Sequence, residues 1–109
     1  MANAIVPVEI DDRILASLIE SMPRGADYWS EGWRVIDGGP LNGGCLALFE
    51  SVNDQRTPHR LDFRALVFGL RLMSARRPKS FGKLLAGDGD MNTADLLAQF
   101  SVLGEERYG

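Results

Sequence analysis

Apolar residues recur every three or four positions between residues 10 and 22, which is the spacing of one helix face. Asp11 or Asp12 stands before this run and can accept hydrogen bonds from the free N–H groups of a helix start. Pro23 and Gly25 predict the end of the run. The pattern therefore indicates a first helix, preceded by an extended lead-in at the N-terminus.

Two later stretches have the same helical spacing. Asp62 favours the start of a helix over residues 63–77, where the apolar stripe is wide enough to predict a mostly buried element. Asn92 or Thr93 is expected to cap a last helix. Gly104 follows its apolar face, at the position where a helix C-terminus favours a left-handed residue. The sequence thus predicts about three helices.

Between the first two helices the pattern changes to that of strands. Residues 28–37 and 45–52 are rich in aromatic and β-branched or apolar residues, and the glycine-rich stretch 38–44 between them indicates a turn. Residues 57–61 add a possible third strand. Alternation along the first strand places three side chains on one face: Trp29, Trp33 and Val35. We therefore predict an α+β fold, with a small antiparallel sheet packed against the helices.

Composition limits the class of protein. The 109 residues are 45% hydrophobic and 25% charged, which is typical of one globular domain spanning 1–109. No apolar run approaches the roughly 18–20 residues that a membrane span needs, and the N-terminus lacks a secretory signal pattern. A single cysteine, Cys45, excludes an internal disulfide framework and favours a cytoplasmic location.

The net charge of −3 conceals three blocks of opposite sign. Residues 1–55 have a net charge of −6, residues 56–83 of +7 and residues 84–109 of −4. Mutual neutralisation of these segments in the fold is the simpler explanation. The alternative is a surface that attracts a charged partner.

Catalytic and metal-binding patterns are weak. Cys45 and His59 are the only cysteine–histidine pair that a nucleophilic site could use, so a small enzyme with a site near them is one hypothesis. Residues 88–92 resemble the start of a calcium-binding loop, but Thr93 and Gln99 occupy the positions that require glycine and glutamate. One cysteine and one histidine are too few for a nitrogen and sulfur zinc site. We predict no metal, no cofactor and no catalytic residue.

The basic block supports a nucleic-acid-binding hypothesis. Several of its cations would have to face outward together and displace counterions from phosphates. The candidate residues are Arg60, Arg64, Arg71, Arg76, Arg77 and Lys79. The interleaved Phe63, Phe68 and Phe81 fall on apolar positions and are expected in the core, which weakens the hypothesis.

The acidic N-terminal block supports the opposite idea, a protein that occupies the basic surface of a partner. Aromatic side chains set among acids would supply the anchors that dominate interface energies. The candidate partner-binding residues are Asp27, Tyr28, Trp29, Glu31, Trp33 and Asp37. Core positions for the two tryptophans are the competing interpretation.

Four parts of the chain resemble small proteins carried by bacteriophages and mobile elements. These parts are Ala26-Asp27-Tyr28-Trp29, residues 90–95, Gln99 and residues 104–109. Small accessory proteins of this origin often bind and block a host protein, anti-CRISPR inhibitors among them. The resemblance therefore implies a non-enzymatic inhibitor or modulator of a host nucleic-acid-handling complex, which would act by steric and electrostatic occlusion.

Overall fold

The computed structural model describes residues 9–109, and the predicted N-terminal lead-in falls mainly on residues outside this range. Within it, four helices and three strands confirm the α+β prediction, with one helix more than expected. In chain order the elements are α1 (Asp12–Gly25), β1 (Ser30–Ile36), β2 (Cys45–Val52), β3 (Gln55–Asp62), α2 (Phe63–Arg76), α3 (Pro78–Leu85) and α4 (Met91–Leu103). A short 3-10 turn, Pro40–Asn42, lies between β1 and β2.

The three strands form an antiparallel sheet in the order β1-β2-β3. This confirms the central hairpin and the third strand, which is longer than the predicted 57–61. Asn53 and Asp54 form the two-residue turn between β2 and β3, with φ angles of 53° and 62°. Short polar side chains tolerate this left-handed conformation, which matches the twist of the two strands that it joins.

A β-bulge interrupts β1. Its pairing with β2 shifts between Glu31 and Arg34, and Gly32 has a φ of +68° there. The predicted alternation of Trp29, Trp33 and Val35 is therefore wrong, because a bulge breaks the two-residue period. Trp29 precedes the strand and is fully buried, whereas Val35 is 68% exposed.

The helices cover one face of the sheet, which we call the inner face. Leu46 and Leu48 of β2 and Leu61 of β3 point from it into the core. Helix α4 is the centre of the packing: every residue from 93 to 101 is buried. Helices α1 and α2 flank α4, and β3 also contacts it.

Close packing between α2 and α4 depends on a glycine. A Cβ atom on Gly69 would lie 2.1 Å from Ser101 Oγ and 2.8 Å from the Ser101 backbone N. The Ser101 hydroxyl is itself buried, with no hydrogen-bond partner among the described residues. Any larger side chain at residue 69 would therefore push the two helices apart.

Helix ends follow the capping rules, with one correction. The side chains of Asp11 and Asp62 accept the first backbone N–H groups of α1 and α2, as predicted. Helix α4 is capped by Asp90 instead of Asn92 or Thr93. Asp90 Oδ1 accepts the Thr93 N–H at 3.0 Å while Thr93 Oγ1 accepts the Asp90 N–H at 3.2 Å, a reciprocal capping box.

Candidate functional site

The predicted acidic and aromatic surface is only partly assembled. Asp27 and Asp37 are exposed, and 54% of Tyr28 is open to solvent. Glu31 is also exposed, but its carboxylate is bound by Arg56 at 3.0 Å. The carboxylates of Asp27 and Asp37 form no ion pair among residues 9–109, so they are the acids of this set that remain open to a partner.

The two tryptophans of that set belong mainly to the interior. Trp33 is half-buried and donates its indole N–H to Ser30 Oγ at 2.9 Å. Trp29 is fully buried, its indole N–H lies 2.7 Å from Asp95 Oδ1, and its ring stacks on Tyr108 with centroids 5.6 Å apart. The prediction that Trp29 contacts a partner is therefore corrected, because both its ring and its N–H are already satisfied inside the domain.

Trp29 is part of a larger group of hydrogen-bonded side chains that we call the polar cluster. Its members are Tyr28, Trp29, Glu50, His59, Asp95, Gln99, Arg107 and Tyr108. They come from the turn before β1, from β2, β3 and α4, and from the residues after α4. Sequence reasoning assigned no role to Glu50, Asp95, Gln99 or Tyr108.

Asp95 and Gln99 form the centre of the polar cluster, one turn apart on α4. The Asp95 carboxylate accepts the Tyr28 hydroxyl at 2.5 Å, the Trp29 indole N–H at 2.7 Å and the Gln99 amide at 3.0 Å. Burial, followed by the hydrogen bond to Asp95 and its charge, raises the pKa of Tyr28 to about 12. The phenol therefore stays a donor over the whole physiological range.

The residues after α4 bind to Gln99 through their backbone. The Gln99 side-chain oxygen accepts the N–H groups of both Arg107 and Tyr108 at 2.8 Å, and its amide donates to the Tyr108 carbonyl at 3.0 Å. A single buried side chain thus fixes the course of this segment. Tyr108 is held in the position where its ring covers Trp29.

Glu50 forms the second centre of the polar cluster. Its carboxylate accepts the Tyr108 hydroxyl, Arg107 Nη1 at 2.9 Å and His59 Nε2 at 3.0 Å. Burial alone would raise the pKa of Glu50, but these hydrogen bonds and the Arg107 charge together lower it below its usual value. The hydrogen bond to Glu50 in turn raises the pKa of Tyr108.

The polar cluster connects distant parts of the chain. Among the described residues its buried side-chain polar atoms all have hydrogen-bond partners, as is typical of groups that stabilise a fold. Tyr28, Trp29, Asp95 and Gln99 of the cluster lie in segments on which the predicted resemblance to phage and mobile-element proteins was based. No pattern in the sequence pointed to Glu50.

Cys45 and His59 do not form a site. In the pairing of β2 with β3, Cys45 lies opposite Asp62 and Leu48 lies opposite His59. An offset of three residues along β2 places the two side chains on opposite faces of the sheet. Cys45 is buried, and His59 is engaged with Glu50.

The basic block is largely free of internal pairing, which overturns the expected mutual neutralisation. Among residues 9–109, only Arg56 and Arg77 of its eight cations form ion pairs, with Glu31 and Glu106 respectively. The other six cations of the block are exposed: Arg60, Arg64, Arg71, Arg76, Lys79 and Lys83. Helices α2 and α3 together contain no acidic residue.

Two of the phenylalanines expected in the core are instead on the surface. Phe63 is 53% exposed and Phe68 is 51% exposed. Arg64, Phe68 and Arg71 follow one another at spacings of four and three residues on the outward side of α2, and we call them the α2 stripe. The two arginines of the α2 stripe stand about 10 Å apart along the helix axis, with the aromatic ring between them.

Comparisons of the chain with protein-family models, with curated proteins and with solved structures find no match. None of the helices in residues 9–109 combines the length and the apolar composition needed to cross a membrane. The described part of the chain is a two-layer α+β domain with a free basic surface on α2 and α3.

Proposed function

We propose that this protein is a non-enzymatic nucleic-acid-binding protein that uses the basic surface of α2 and α3. The observation that supports this proposal most is the α2 stripe, in which a half-exposed aromatic ring stands between two arginines that form no ion pair with any residue from 9 to 109. Phe68 is 51% exposed, and its spacing from Arg64 and Arg71 places the three side chains on one side of α2. The ring would contact bases or sugars while the arginines bind phosphates.

The charge of these helices supports the same proposal. Each phosphate neutralised by a lysine or arginine releases condensed counterions, which drives binding at low salt. Arg76 at the end of α2, together with Lys79 and Lys83 on α3, extends the positive charge beyond the α2 stripe. Neither helix contains an acidic residue, so the positive charges on α2 and α3 are not offset by acids of the same helices, although the chain as a whole is acidic.

A salt titration of binding tests the proposal. We expect the protein to bind a fluorescein-labelled oligonucleotide, measured by anisotropy, with an affinity that falls steeply between about 50 and 200 mM salt. The double variant Arg64→Ala/Arg71→Ala should lower the slope of log K against log salt by about 2. Arg13→Ala, which removes one exposed charge from α1, is the control and should behave as the parent.

Two results would count against nucleic-acid binding. One is the absence of salt-dependent binding to any single- or double-stranded oligonucleotide. The other is an unchanged salt slope in the double variant while the Arg13→Ala control also binds as the parent. Replacement of Phe68 by leucine gives an independent check, because it keeps an apolar side chain but removes the aromatic face, so it should weaken binding with little change in the melting temperature.

A second candidate is inhibition of a host nucleic-acid-handling complex through the acidic surface, as the resemblance to mobile-element proteins implies. Exposed Asp27 beside the half-exposed Tyr28 favours it, because Tyr28 is fixed by Asp95 and a rigid tyrosine is a common interface anchor. The variant Asp27→Asn/Asp37→Asn should then lose capture of the host complex, whereas Arg64→Ala/Arg71→Ala should retain it. For either function we propose a cytoplasmic location, which suits the buried free thiol of Cys45.

A further inference from the structure

The face of the sheet opposite the helices, which we call the outer face, presents a row of cations. Residues directly opposite each other on neighbouring strands share a face, and Ala47 is paired with Arg34 on one side and Arg60 on the other. Both arginines are exposed, and neither forms an ion pair within the described range 9–109. The small alanine between them leaves a shallow gap with a positive charge at each edge.

Next to this row, an arginine side chain is held over an aromatic ring. The guanidinium carbon of Arg56 lies 4.1 Å from the ring centroid of Phe49, which is two residues from Ala47 on the same strand. Arg56 Nε also contacts Glu31 at 3.0 Å, so the guanidinium is fixed on two sides. Its side chain nevertheless remains 55% exposed.

The bulge in β1 makes room for this arrangement. A Cβ atom at Gly32 would come within 3.0 Å of the Phe49 ring and within 3.7 Å of Arg56 Nη2. The glycine therefore lets the ring lie close to β1, with the guanidinium above it. The Arg56 guanidinium thus forms a flat, charged plane over Phe49. Phe49 is two residues along β2 from Ala47, so this plane lies about 7 Å from the row of Arg34 and Arg60.

From this geometry we infer that the outer face binds single-stranded nucleic acid, with a base stacked on the Arg56 guanidinium and phosphates bound by Arg34 and Arg60. The inference rests on the proposed nucleic-acid function and narrows its ligand. A base can stack on a side chain only when it is not already stacked and paired within a duplex. Single strands offer such bases, whereas an intact duplex does not. Phosphates match the excess of positive charge on this face, where Arg34, Arg56 and Arg60 outnumber the acids Glu31 and Asp62.

Binding of labelled single strands of about 20 nucleotides, DNA and RNA, is compared with binding of the matching duplex by anisotropy. Arg56→Lys keeps the charge but removes the plane, so we expect single-strand affinity to fall about tenfold with duplex affinity unchanged. Arg34→Ala/Arg60→Ala should also weaken single-strand binding and lower its salt slope. Arg13→Ala is the matched control, and melting temperatures verify that each variant is folded.

The outcomes separate this inference from the proposed function. Equal affinity for single strands and duplex, or single-strand affinity that is unchanged in Arg56→Lys, would overturn binding at the outer face while nucleic-acid binding by α2 and α3 stands. The absence of binding to every oligonucleotide would overturn both. A selective loss of single-strand binding in Arg56→Lys would support the outer face as the site.

Discussion

Replacement of Asp95 by alanine tests how far the polar cluster stabilises the domain. Asp95 accepts hydrogen bonds from Tyr28, Trp29 and Gln99, and the Trp29 and Gln99 side chains are fully buried. Hydrogen bonds to a charged acceptor contribute roughly 1.5–3 kcal/mol each, and a buried donor left without a partner costs about as much. Tyr28 is 54% exposed and its hydroxyl also lies 3.4 Å from the Tyr108 carbonyl oxygen, a second acceptor, so we count only the two buried donors.

The expected loss of unfolding free energy is about 3–4 kcal/mol for Asp95→Ala. It lies in the lower half of the range of about 3–6 kcal/mol that two such bonds give, because removal of the carboxylate also relieves the desolvation of a buried charge. Asp95→Asn keeps an oxygen that can accept the Trp29 N–H, so its expected loss is only about 1–2 kcal/mol. Urea unfolding followed by tryptophan fluorescence, with linear extrapolation to water, measures both values.

A second measurement connects this loss to Asp95 itself. Because the carboxylate helps to raise the pKa of Tyr28 to about 12, the Asp95→Asn variant should titrate that phenol at lower pH, seen by tyrosinate absorbance. In the parent protein, the stability linked to this shift is fully present below pH 10 and is lost as the pH rises towards 12. An Asp95→Ala variant within about 1 kcal/mol of the parent would refute the reasoning.

Three further substitutions have defined outcomes. The pKa of Glu50 is lowered in the folded state, so its ionised form stabilises the fold at pH values above the unfolded-state pKa, and this stabilisation is lost as the pH falls through the folded-state pKa. Glu50→Gln should therefore flatten the dependence of the urea midpoint on acidic pH, and an unaltered dependence would contradict this. Gly69→Ala should cost at least 1–3 kcal/mol by overpacking against Ser101, measured by thermal unfolding, and a wild-type melting temperature would exclude the close contact. Asp90→Ala should cost about 1 kcal/mol through loss of the α4 cap, whereas Asp88→Ala beside it should be nearly neutral in the same measurement.

Local signals in the sequence predicted most of the secondary structure. Capping by Asp11 and Asp62 and the glycine after α4 each act on the nearest few backbone groups, so they can be identified without tertiary information. The bulge at Gly32 could not be predicted, because the same glycine is compatible with a regular strand or a turn.

The burial of aromatic residues depended on distant contacts. Trp29 is buried because Asp95 satisfies its indole N–H, and the two residues are separated by 66 positions. Phe68 lies on the outward side of α2, because the neighbouring elements cover only a narrow face of this helix, centred on Leu66 and Met73. The spacing of apolar residues predicts which side of a helix is apolar. The width of the face that becomes buried depends on the elements that pack against the helix.

The wide sequence separation within the polar cluster has a consequence for folding kinetics. Tyr28 and Trp29 bond to Asp95 across 67 and 66 positions, and Glu50 bonds to Tyr108 across 58. Closing such long loops is entropically costly, so these contacts form after the hairpins and the local helical turns. We therefore expect Asp95→Asn to accelerate unfolding much more than it slows folding in stopped-flow experiments, so that the polar cluster determines mainly how long the folded state lasts.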